Sequence, residues 1–591
     1  RRCRNIIQNQ SQGVNVIRYL LYRLNNKIIK NQLYKIPCSL LSNLYLKVQC
    51  VPFNNIPFNF SLVNHNPPIA DLLDCIDSSE RTHELFARLI KNNTEQRGIL
   101  YTSKADIVGF KNPEELAEKY NNVLYHRHQY ARIEIFKNHF YIKEYDENVY
   151  EIIYKLKKYA ESGIKNYTHS VDLWMKNSGL IIDCDEKKNA LRNLFKNSKV
   201  AFIYGAAGTG KSTMINYISS LFKDKQKIFL ANTNPAVENL RRKVTAEHAE
   251  FVTITKFLSK DVSNDCDILC LDECSTISNR DMVRVLQRAQ CKLLVLVGDI
   301  YQIESILFGN WFNIAYKVMP KDSVAELTRP HRTTVQGLIE VWNKVREITE
   351  DRLEFITRNG LSSTLDESIF SRTEEDEIVL CLNYDGIYGI NNINKFLQSN
   401  NVNPSINWGV LSYKVGDPVL FNESNRFAPL VYNNLKGKIL QIEEEEDCIY
   451  FTIEVYTVLN ELDVIGFDLE LKESVTDETS VIRFKVGRGG DGNDDNDNVE
   501  NVVPFQVAYA ISIHKAQGLE YESVKVVITS EIEEMVSHNI FYTAITRAKS
   551  KLKIYWSPET EKRILENMKV QFNDKDYQLF KAKYKEALLK S

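Results

Sequence analysis

Residues 205–212 combine glycines, a lysine and a serine in a spacing that can bind phosphate groups. They read Gly-Ala-Ala-Gly-Thr-Gly-Lys-Ser, which fits G-x-x-x-x-G-K-[ST], and they follow the apolar run Val200–Tyr204. In such a loop the backbone N–H groups surround phosphate oxygens, the lysine reaches the β- and γ-phosphates, and the hydroxyl binds Mg²⁺. We therefore predict an ATP site with Lys211 as a catalytic cation and Ser212 as a metal ligand. The predicted nucleotide-binding residues of this loop are Gly205, Gly208, Thr209, Gly210, Lys211, Ser212 and Thr213.

Two carboxylates follow another apolar run farther along the chain. Ile268–Leu271 leads directly into Asp272 and Glu273. Alone, such a pair is more often a solvated turn, but behind a phosphate loop it suits a metal ligand beside a base that orients water. We assign Asp272 to Mg²⁺ and Glu273 to water activation. A third apolar run, Leu293–Val297, is followed by Gly-Asp-Ile-Tyr-Gln, which places the Gln302 amide where it can sense a γ-phosphate.

These side chains need a scaffold that gathers the ends of separate strands. Short apolar runs alternate with helical stretches, and the runs are Val200–Tyr204, Ile228–Leu230, Ile268–Leu271 and Leu293–Val297. Such alternation predicts a parallel sheet flanked by helices, with the ligand site at the carboxyl ends of the strands. A second block of this kind covers about residues 505–556, with strand candidates at Val524–Thr529 and Lys551–Tyr555.

The remaining stretches carry less chemical information. Residues 408–485 read as alternating β segments with turns. The stretch Gly487–Asn498 is too polar to bury, which predicts a mobile loop. A calcium-binding loop is the alternative, but the stretch does not match the turn and the terminal Glu that such a loop needs. Residues 1–167 show no repeat and no catalytic signature. His126 with His128 lacks the further ligands of a metal site, so we interpret both as surface residues and assign no chemistry there.

The composition is that of a globular chain with balanced charge. The 591 residues include 75 Lys plus Arg and 77 Asp plus Glu, with 43% hydrophobic residues. These values exclude a disordered, collagenous or coiled-coil chain, and the net charge of -2 means that any nucleic-acid contact must be local. No apolar run approaches the roughly 18 residues that span a bilayer, so we expect a soluble, cytoplasmic protein. The start at Arg1 reads as the cut end of a longer protein, and the 11 Cys as reduced thiols.

Further segments, in a fixed order, resemble the motifs of superfamily 1 helicases, particularly the RecD-like branch. Besides the phosphate loop, Asp272-Glu273 and residues 298–302, these segments are Ala231–Leu240, Thr253–Leu258, Leu327–Arg332, Ala510–Glu520 and Tyr542–Ala548. The resemblance implies two RecA-like lobes, with Arg332 and Arg547 reaching the γ-phosphate and Gly518 and Glu520 contacting the nucleotide. An interlobe or surface salt bridge remains the alternative for the two arginines.

The same resemblance implies a grip on one strand of nucleic acid. The implied contact residues are Thr233, Asn234, Thr253, Thr255, Ser512, His514 and Gln517. If hydroxyls on both lobes hold phosphates, opening and closing of the cleft would move the grip along the strand. Simple helix capping is the alternative role for these hydroxyls. His331 is a candidate for stacking on adenine, with a packed core histidine as the alternative.

Two departures from the family pattern affect the expected activity. The adenine-reading glutamine of the family aligns near Lys187, which puts strict adenine selectivity in doubt. Only residues 259–266 separate Leu258 from the strand before Asp272, which leaves little room for the strand-splitting hairpin of relatives. The segments Tyr413–Val419 and Asn433–Ile439 resemble the small β-barrel that interrupts the second lobe.

The predicted fold class is therefore α/β, with two RecA-like P-loop NTPase lobes, a small β-barrel insertion in the second lobe and an α+β N-terminal domain. We expect an N-terminal domain of unknown role at 1–169 and the ATP-binding lobe at 170–330. The second lobe, with C-terminal helices, is expected at 331–404 and 501–591, and the insertion with its acidic loop at 405–500.

Function follows from these expectations. The leading hypothesis is an ATP- and Mg²⁺-dependent motor on single-stranded nucleic acid, DNA rather than RNA, with 5'-to-3' polarity implied by the resemblance alone. The alternative is a nucleic-acid-activated ATPase subunit of a genome-defence or remodelling complex, without efficient unwinding and with a protein partner bound through the N-terminal region. An ATPase that remodels proteins predicts no stimulation by nucleic acid.

Overall fold

The computed structural model describes most of the chain from residue 82 onward. The described residues are 2–9, 37–38, 44–45, 82–124, 126–206, 208–259, 264–302, 308–329, 333–409, 411–422, 426–428, 430–474, 476–487, 501–532, 536–568 and 574–589. The predicted roles of His331 and Arg332, and most of the predicted mobile loop at Gly487–Asn498, lie outside these residues.

Helices and strands alternate through both blocks that the apolar runs predict. The helices are α1 Arg2–Gln8, α2 Thr82–Arg97, α3 Pro113–Val123, α4 Lys143–Ala160, α5 Tyr167–Asn177, α6 Asp185–Asn193, α7 Lys211–Leu221, α8 Asn234–Lys243, α9 Ile254–Leu258, α10 Asn279–Arg288, α11 Trp311–Val318, α12 Gln336–Glu347, α13 Arg352–Arg358, α14 Ile390–Ser399, α15 His538–Ile545, α16 Pro558–Asn567 and α17 Asp574–Leu589. The strands are β1 Pro37–Cys38, β2 Leu44–Tyr45, β3 Thr102–Ser103, β4 Ile133–Phe136, β5 His139–Ile142, β6 Val200–Gly205, β7 Lys227–Ala231, β8 Ala249–Thr253, β9 Asp265–Leu271, β10 Gln290–Gly298, β11 Val324–Leu327, β12 Ser362–Ser363, β13 Glu377–Cys381, β14 Ser405–Trp408, β15 Leu411–Lys414, β16 Pro418–Phe421, β17 Lys436–Glu444, β18 Cys448–Val455, β19 Glu470–Lys472, β20 Ser480–Gly487, β21 Phe505–Val507, β22 Ala510–Ser512, β23 Tyr521–Val527 and β24 Ala548–Tyr555.

The first sheet confirms the parallel arrangement predicted from the apolar runs. Its six strands lie in the order β11-β6-β10-β9-β7-β8, and every neighbouring pair is parallel. Strand β6 is buried along its whole length, as expected for a strand covered by helices on both faces. We call this sheet with its flanking helices the first lobe. Because β6, β10 and β9 are neighbours, the loops that follow them meet at one edge of the sheet.

The second sheet has five strands in the order β12-β24-β23-β13-β22, and all its pairings are parallel. Leu338 and Val341 of α12 pack with Phe541 of α15 on one face of this sheet. Ile390 and Ile393 of α14 cover the other face. We call this sheet with its helices the second lobe. Two parallel sheets, each covered on both faces, therefore make a mixed α/β protein.

An antiparallel sheet lies between β13 and β22 in the sequence. Its strands follow the order β19-β20-β18-β17-β16-β21, and β18 alternates half-buried and buried residues along its length. This period of two is what a strand with one face on a core requires. In the part of the chain that the structure describes, β19 and β21 form the two edges of this sheet. Its closure into a barrel stays a prediction.

The N-terminal region shares a hydrophobic core with the first lobe. Val149, Ile152 and Leu156 on α4 pack into one buried cluster with Leu269 of β9 and Leu294 of β10. Helix α4 thus forms part of the layer that covers the first sheet, beside α10 and α11. The predicted boundary at residues 169 and 170 stays a prediction, but this core joins the regions on its two sides.

The C-terminal helix α17 returns to the N-terminal region. Asp576 accepts hydrogen bonds from the backbone N–H groups of Leu100 and Tyr101 at 2.7 and 3.0 Å. Phe580 is fully buried in the core that α4 shares with the first lobe. The last helix therefore fastens the N-terminal region to the first lobe. None of the helices in the described ranges has both the length and the hydropathy to cross a bilayer.

Candidate nucleotide and nucleic-acid sites

One cavity of about 320 Å³ lies between the two lobes and gathers most of the predicted nucleotide-site residues. We call it the interlobe cavity. Residues lining it from the first lobe are Gly208, Gly210, Lys211, Ser212, Thr213, Ala236, Asn239, Leu240, Lys243, Asp272, Glu273, Gly298, Asp299 and Gln302. Those from the second lobe are Gly518, Glu520 and Arg547. Segments more than 330 residues apart in the sequence therefore face the same space.

The phosphate loop joins β6 to α7, as the sequence pattern predicts. Lys211 Nζ donates hydrogen bonds to the carbonyl oxygens of Gly205 and Ala206 at 2.8 and 2.9 Å, which holds the ammonium beside the loop. Gly210 has a φ of +86°, a conformation that a side chain disfavours. Thr209 is buried, and its hydroxyl donates to the carbonyl oxygen of Ala206 at 2.9 Å. Thr209 and Gly205 therefore shape the loop without lining the cavity.

Lys187 lies under the same loop, although the family pattern has glutamine there. Its side chain is almost completely buried and forms an ion pair with Asp183. A methyl group placed on Gly210 would lie 2.5 Å from Lys187 Nζ. The lysine therefore packs directly against the phosphate loop, and its ammonium can only donate hydrogen bonds.

Asp272 and Glu273 follow β9 at the carboxyl edge of the first sheet. The backbone N–H of Glu273 donates to Asp272 Oδ1 at 2.9 Å. Glu273 has a φ of +52°, which is uncommon for a residue with a side chain and often marks a functional site. The carbonyl oxygen of Glu273 accepts the Thr276 hydroxyl at 2.9 Å and so anchors this turn. A methyl group on Gly518 would lie 3.8 Å from Glu273 Oε1, so this carboxylate faces the second lobe.

Burial controls the protonation of this carboxylate pair. Removal from water, together with the nearby Asp272 carboxylate, raises the pKa of Glu273 to about 7 against the opposing charges of Arg547 and Lys211. Burial also raises the pKa of Asp272, against the hydrogen bond from the Glu273 N–H and the charge of Lys211. A carboxyl group with a pKa near neutrality can accept a proton from a bound water.

Arg547 enters the interlobe cavity from the second lobe. It is only 3% exposed, and it donates from Nε to the carbonyl oxygen of Thr543 at 2.9 Å and from Nη1 to that of Leu519 at 3.2 Å. These bonds hold the guanidinium between α15 and the loop before β23. The charge of Arg547 also lowers the pKa of Glu273, which places the two groups within electrostatic reach.

Gln302 lines the interlobe cavity at the end of the segment that follows β10. Asp299 is 2% exposed, and its Oδ1 accepts the backbone N–H of Tyr301 at 3.1 Å. The ring of Tyr301 contacts the second lobe, with the Arg346 guanidinium 4.7 Å from its centre. The segment that carries Gln302 therefore touches both lobes.

Sequence reasoning missed Asn239 and Lys243, which line the interlobe cavity from α8. Asn239 Nδ2 donates to the carbonyl oxygen of Gly518 at 2.5 Å, and Lys243 Nζ lies 3.4 Å from Glu520 Oε1. The available signal was their spacing, since residues four apart share one face of a helix. Both contacts join the first lobe to the second.

The donor set suits a magnesium ion. Ser212 and Asp272 bring a hydroxyl and a carboxylate to the same cavity, and Mg²⁺ takes hard oxygen ligands from few protein groups together with phosphates and water. In the described ranges no three His, Cys, Asp or Glu side chains gather into a metal-binding group. Ser212 and Asp272 would hold the ion, which would supply charge neutralisation at the phosphates.

The predicted nucleic-acid contacts fall into two groups. Thr233 and Thr253 cap α8 and α9, with side chains that accept from Ala236 N and Lys256 N at 3.4 and 3.2 Å. Ser512 is buried and accepts from Lys515 N at 3.2 Å. Thr233 and Thr253 therefore have the capping role that was the alternative, while Ser512 holds the turn after β22.

The other predicted contacts are side chains with no such local role. Asn234, Thr255 and His514 are exposed. Gln517 is half-buried, and its Nε2 makes no hydrogen bond within the described part of the chain. The seven residues lie after or at the ends of β7, β8 and β22, so both lobes contribute to the set.

Family models match two parts of the chain. An AAA domain model matches residues 184–366, and a UvrD-like helicase C-terminal domain model matches residues 507–555. The first match contains the phosphate loop, Asp272, Glu273 and Gln302. The second contains Gly518, Glu520 and Arg547.

Relatives share the same region at low identity. A protein of Methanocaldococcus jannaschii is 24% identical over 62% of this chain, and the match spans only 37% of that protein's length. The RecBCD enzyme subunit RecD of Buchnera aphidicola is 23% identical over 66% of this chain and 78% of its own. The ATP-dependent DNA helicase Pif1 of Campylobacter jejuni is 23% identical, with coverages of 60% and 88%.

Solved structures give a weaker likeness. A Bacteroides Pif1 bound to ssDNA is 17% identical over 69% of this chain and 98% of its own, with a TM-score of 0.41. The ordered motifs, the two family models and the RecD and Pif1 relatives together support the assignment of this chain to the RecD-like superfamily 1 helicases, within the P-loop NTPase class.

Proposed function

We propose that this protein is an ATP- and Mg²⁺-dependent motor that moves along single-stranded DNA in the 5'-to-3' direction. One observation carries the proposal: the interlobe cavity combines a phosphate loop, a carboxylate pair and an amide from the first lobe with an arginine from the second. The name of the Pif1 relative, an ATP-dependent DNA helicase, supports DNA as the strand. The polarity rests on the family resemblance.

Each side chain of the cavity has a role in hydrolysis under this proposal. Lys211 binds the β- and γ-phosphates, and Glu273 accepts a proton from the water that attacks the γ-phosphate. Gln302 positions that water or the γ-phosphate. Arg547 neutralises charge on the transferred phosphoryl group, an effect worth about 10³- to 10⁵-fold in rate for an arginine finger. Because Arg547 belongs to the second lobe, catalysis requires a closed cleft.

The segment between β22 and β23 can couple hydrolysis to movement. It begins beside Ser512 and His514, which are predicted strand contacts, and it ends at Gly518 and Glu520, which line the interlobe cavity. A short, continuous stretch of backbone thus joins the two sites. Opening of the cleft after hydrolysis would shift the second lobe's grip along the strand.

The domain arrangement is part of the same proposal. The antiparallel sheet of β16–β21 would be the β-barrel-like insertion that is predicted at residues 405–500. Strand β21, Phe505–Val507, would extend this insertion beyond residue 500. The N-terminal region would act with the first lobe, since α4 and α17 share its core. A protein partner would bind on the exposed side of that region.

ATP hydrolysis with and without single strands tests the proposal. Wild type should hydrolyse ATP faster with single-stranded DNA, while Lys211→Ala and Glu273→Gln should remove the stimulated turnover. Lys225→Ala and Glu250→Gln change exposed residues of the same lobe and serve as matched controls. Stimulated turnover in Lys211→Ala or Glu273→Gln would refute the site assignment, and wild type without stimulation would refute the motor.

A second candidate is a DNA-activated ATPase that does not unwind efficiently. Helix α9 ends at Leu258 and β9 begins at Asp265, so only residues 259–264 connect them. A connection of this length leaves little room for a strand-splitting hairpin. Strand-stimulated ATPase without displacement from a 5'-tailed duplex would favour this candidate, whereas efficient displacement would exclude it.

A further inference from the structure

A second cavity of about 180 Å³ adjoins the interlobe cavity, and the two share Asn239, Lys243, Gly518 and Glu520. Residues of the antiparallel sheet region, among them Tyr432 and Lys436, also line this second cavity. Three parts of the fold therefore meet around Glu520: the first lobe, the second lobe and the antiparallel sheet.

Lys436, the first residue of β17, contacts the segment that leads to Glu520. Its Nζ donates to Asp376 Oδ1 at 2.8 Å and to the carbonyl oxygen of Glu520 at 3.2 Å. The same ammonium lies 4.0 Å from the centre of the Tyr521 ring. The side chain is 21% exposed, so these contacts are largely shielded from water.

Asp376 extends this connection into β23. Its Oδ2 accepts the backbone N–H of Glu522 at 3.1 Å, and its carbonyl oxygen accepts that of Ser523 at 3.1 Å. Lys436 and Asp376 thus hold the backbone from Glu520 to Ser523. Lys436, which belongs to the antiparallel sheet, therefore holds the backbone where Glu520 of the interlobe cavity leads into strand β23 of the second lobe.

The first lobe holds the same segment from the other side. Asn239 and Lys243 contact Gly518 and Glu520 directly. Arg242, next to Lys243 on α8, lies 3.5 Å from the Tyr432 hydroxyl through its Nη2. The antiparallel sheet therefore touches both partners of the interlobe contact.

We propose that Lys436 is a positioning residue through which the antiparallel sheet sets the place of Gly518 and Glu520 in the nucleotide site. The inference rests on the proposed function of the interlobe cavity, and it adds a link between that cavity and a separate sheet. Because such a link is reciprocal, nucleotide binding must also stabilise the start of β17.

Removal of the ammonium should loosen the segment without touching the phosphate loop. Asp376 would lose its cation and the Glu520 carbonyl oxygen would lose its hydrogen-bond donor, so Gly518 and Glu520 would sample more positions. We expect nucleotide affinity to fall, because binding would then have to order these residues at a cost in conformational entropy. Turnover at saturating ATP should change little, since Lys211 and Glu273 keep their own contacts and Arg547 keeps its hydrogen bond to the Thr543 carbonyl oxygen.

The experiment compares Lys436→Met, Lys436→Arg and Lys438→Met in the full chain. Lys438 projects from the same face of β17 and pairs with Glu375 at the surface, which makes it a matched control. The measurements are equilibrium binding of a non-hydrolysable ATP analogue, KM and kcat for ATP, and amide hydrogen exchange of residues 436–444. Urea unfolding of each variant checks the fold.

Lys436→Met should bind the analogue about five- to tenfold more weakly and raise KM equally, with kcat within about twofold of wild type. Lys436→Arg should restore binding, and Lys438→Met should match wild type. The analogue should slow exchange at the start of β17 in wild type but not in Lys436→Met. If Lys436→Met does not fold, Lys436→Gln carries the same expectation.

Equal binding by the Met variants of Lys436 and Lys438 would overturn the inference, and so would slowing of exchange at the start of β17 by the analogue in Lys436→Met as large as in wild type. Failure of wild type to bind the analogue would instead overturn the proposed function, together with the inference that rests on it. The two failures are therefore distinguishable.

Discussion

Asn239 Nδ2 in the first lobe donates a 2.5 Å hydrogen bond to the carbonyl oxygen of Gly518 in the second lobe. Both residues line the interlobe cavity, and Gly518 stands two residues before Glu520, which also lines it. The hydrogen bond joins the helix that follows Thr233 to the segment that follows Ser512. A nucleotide between the lobes would therefore bind beside a direct bridge between them.

Replacement of Asn239 should weaken nucleotide binding. Asn239→Ala removes one hydrogen bond across the cleft, which is worth about two- to tenfold in the half-saturating ATP concentration. Steady-state ATPase titrations measure this change. Asn264→Ala is the control, because Asn264 Nδ2 donates to the Arg288 carbonyl oxygen at 2.9 Å within the first lobe. Equal effects of both variants would contradict a specific role for the bridge.

Arg547 should tolerate no replacement by lysine. The Arg547→Lys ammonium cannot reach two backbone carbonyl groups and a phosphate together, so we expect kcat to fall by about 10²-fold or more. Strand-stimulated ATP hydrolysis measures the loss. Arg352→Lys is the control, since Arg352 also binds backbone carbonyl oxygens of the second lobe, at 2.7 Å to Thr349 and 3.1 Å to Leu565. Near-normal kcat in Arg547→Lys would show that the arginine is structural.

Thr255 separates strand binding from helix capping. It is exposed on α9, whereas Thr253 caps that helix. Thr255→Val should weaken binding of a single-stranded oligonucleotide by about two- to fivefold, the worth of one lost hydrogen bond to phosphate, without changing Tm. Fluorescence anisotropy at fixed salt measures the affinity. Thr357→Val, at another exposed helical threonine, should leave it unchanged. Unaltered binding by Thr255→Val would remove Thr255 from the strand path.

Asp146 should anchor the C-terminal helix. Its carboxylate is 1% exposed and accepts hydrogen bonds from Lys583 Nζ at 2.6 Å and from the hydroxyls of Tyr101 and Tyr584. Asp146→Asn leaves the lysine without its counter-charge and should cost about 2–4 kcal/mol in the free energy of unfolding, measured in urea.

The matched control for Asp146 is Glu151→Gln on the same helix. Glu151 forms a half-exposed ion pair with Lys155, so its loss should cost less than about 1 kcal/mol. Limited proteolysis should release residues 574–589 from Asp146→Asn first. Equal stabilities of the two variants would contradict the anchoring role.

Local patterns were enough to predict the phosphate loop, the carboxylate pair and both parallel sheets. The prediction of the loop depends only on glycines and a lysine within residues 205–212. The prediction of the strands depends on apolar runs, which are buried on both faces of the sheets. The capping by Thr233 and Thr253 is also local, because a cap joins a side chain to the backbone three residues on. Spacing alone did not decide between capping and strand contact.

By itself the sequence determined which side chains of the first lobe are available for the predicted chemistry, and the order of the motifs. Only the tertiary structure decided which residues of distant segments form hydrogen bonds with each other: Asn239 with Gly518, Lys436 with Glu520, and Lys583 with Asp146. These pairs depend on how separately formed sheets and helices pack, and no period or motif along the chain records that packing. The interlobe cavity exists because segments far apart in the sequence pack against each other and bring the two lobes together. Which residues line it from both lobes therefore depends on that packing.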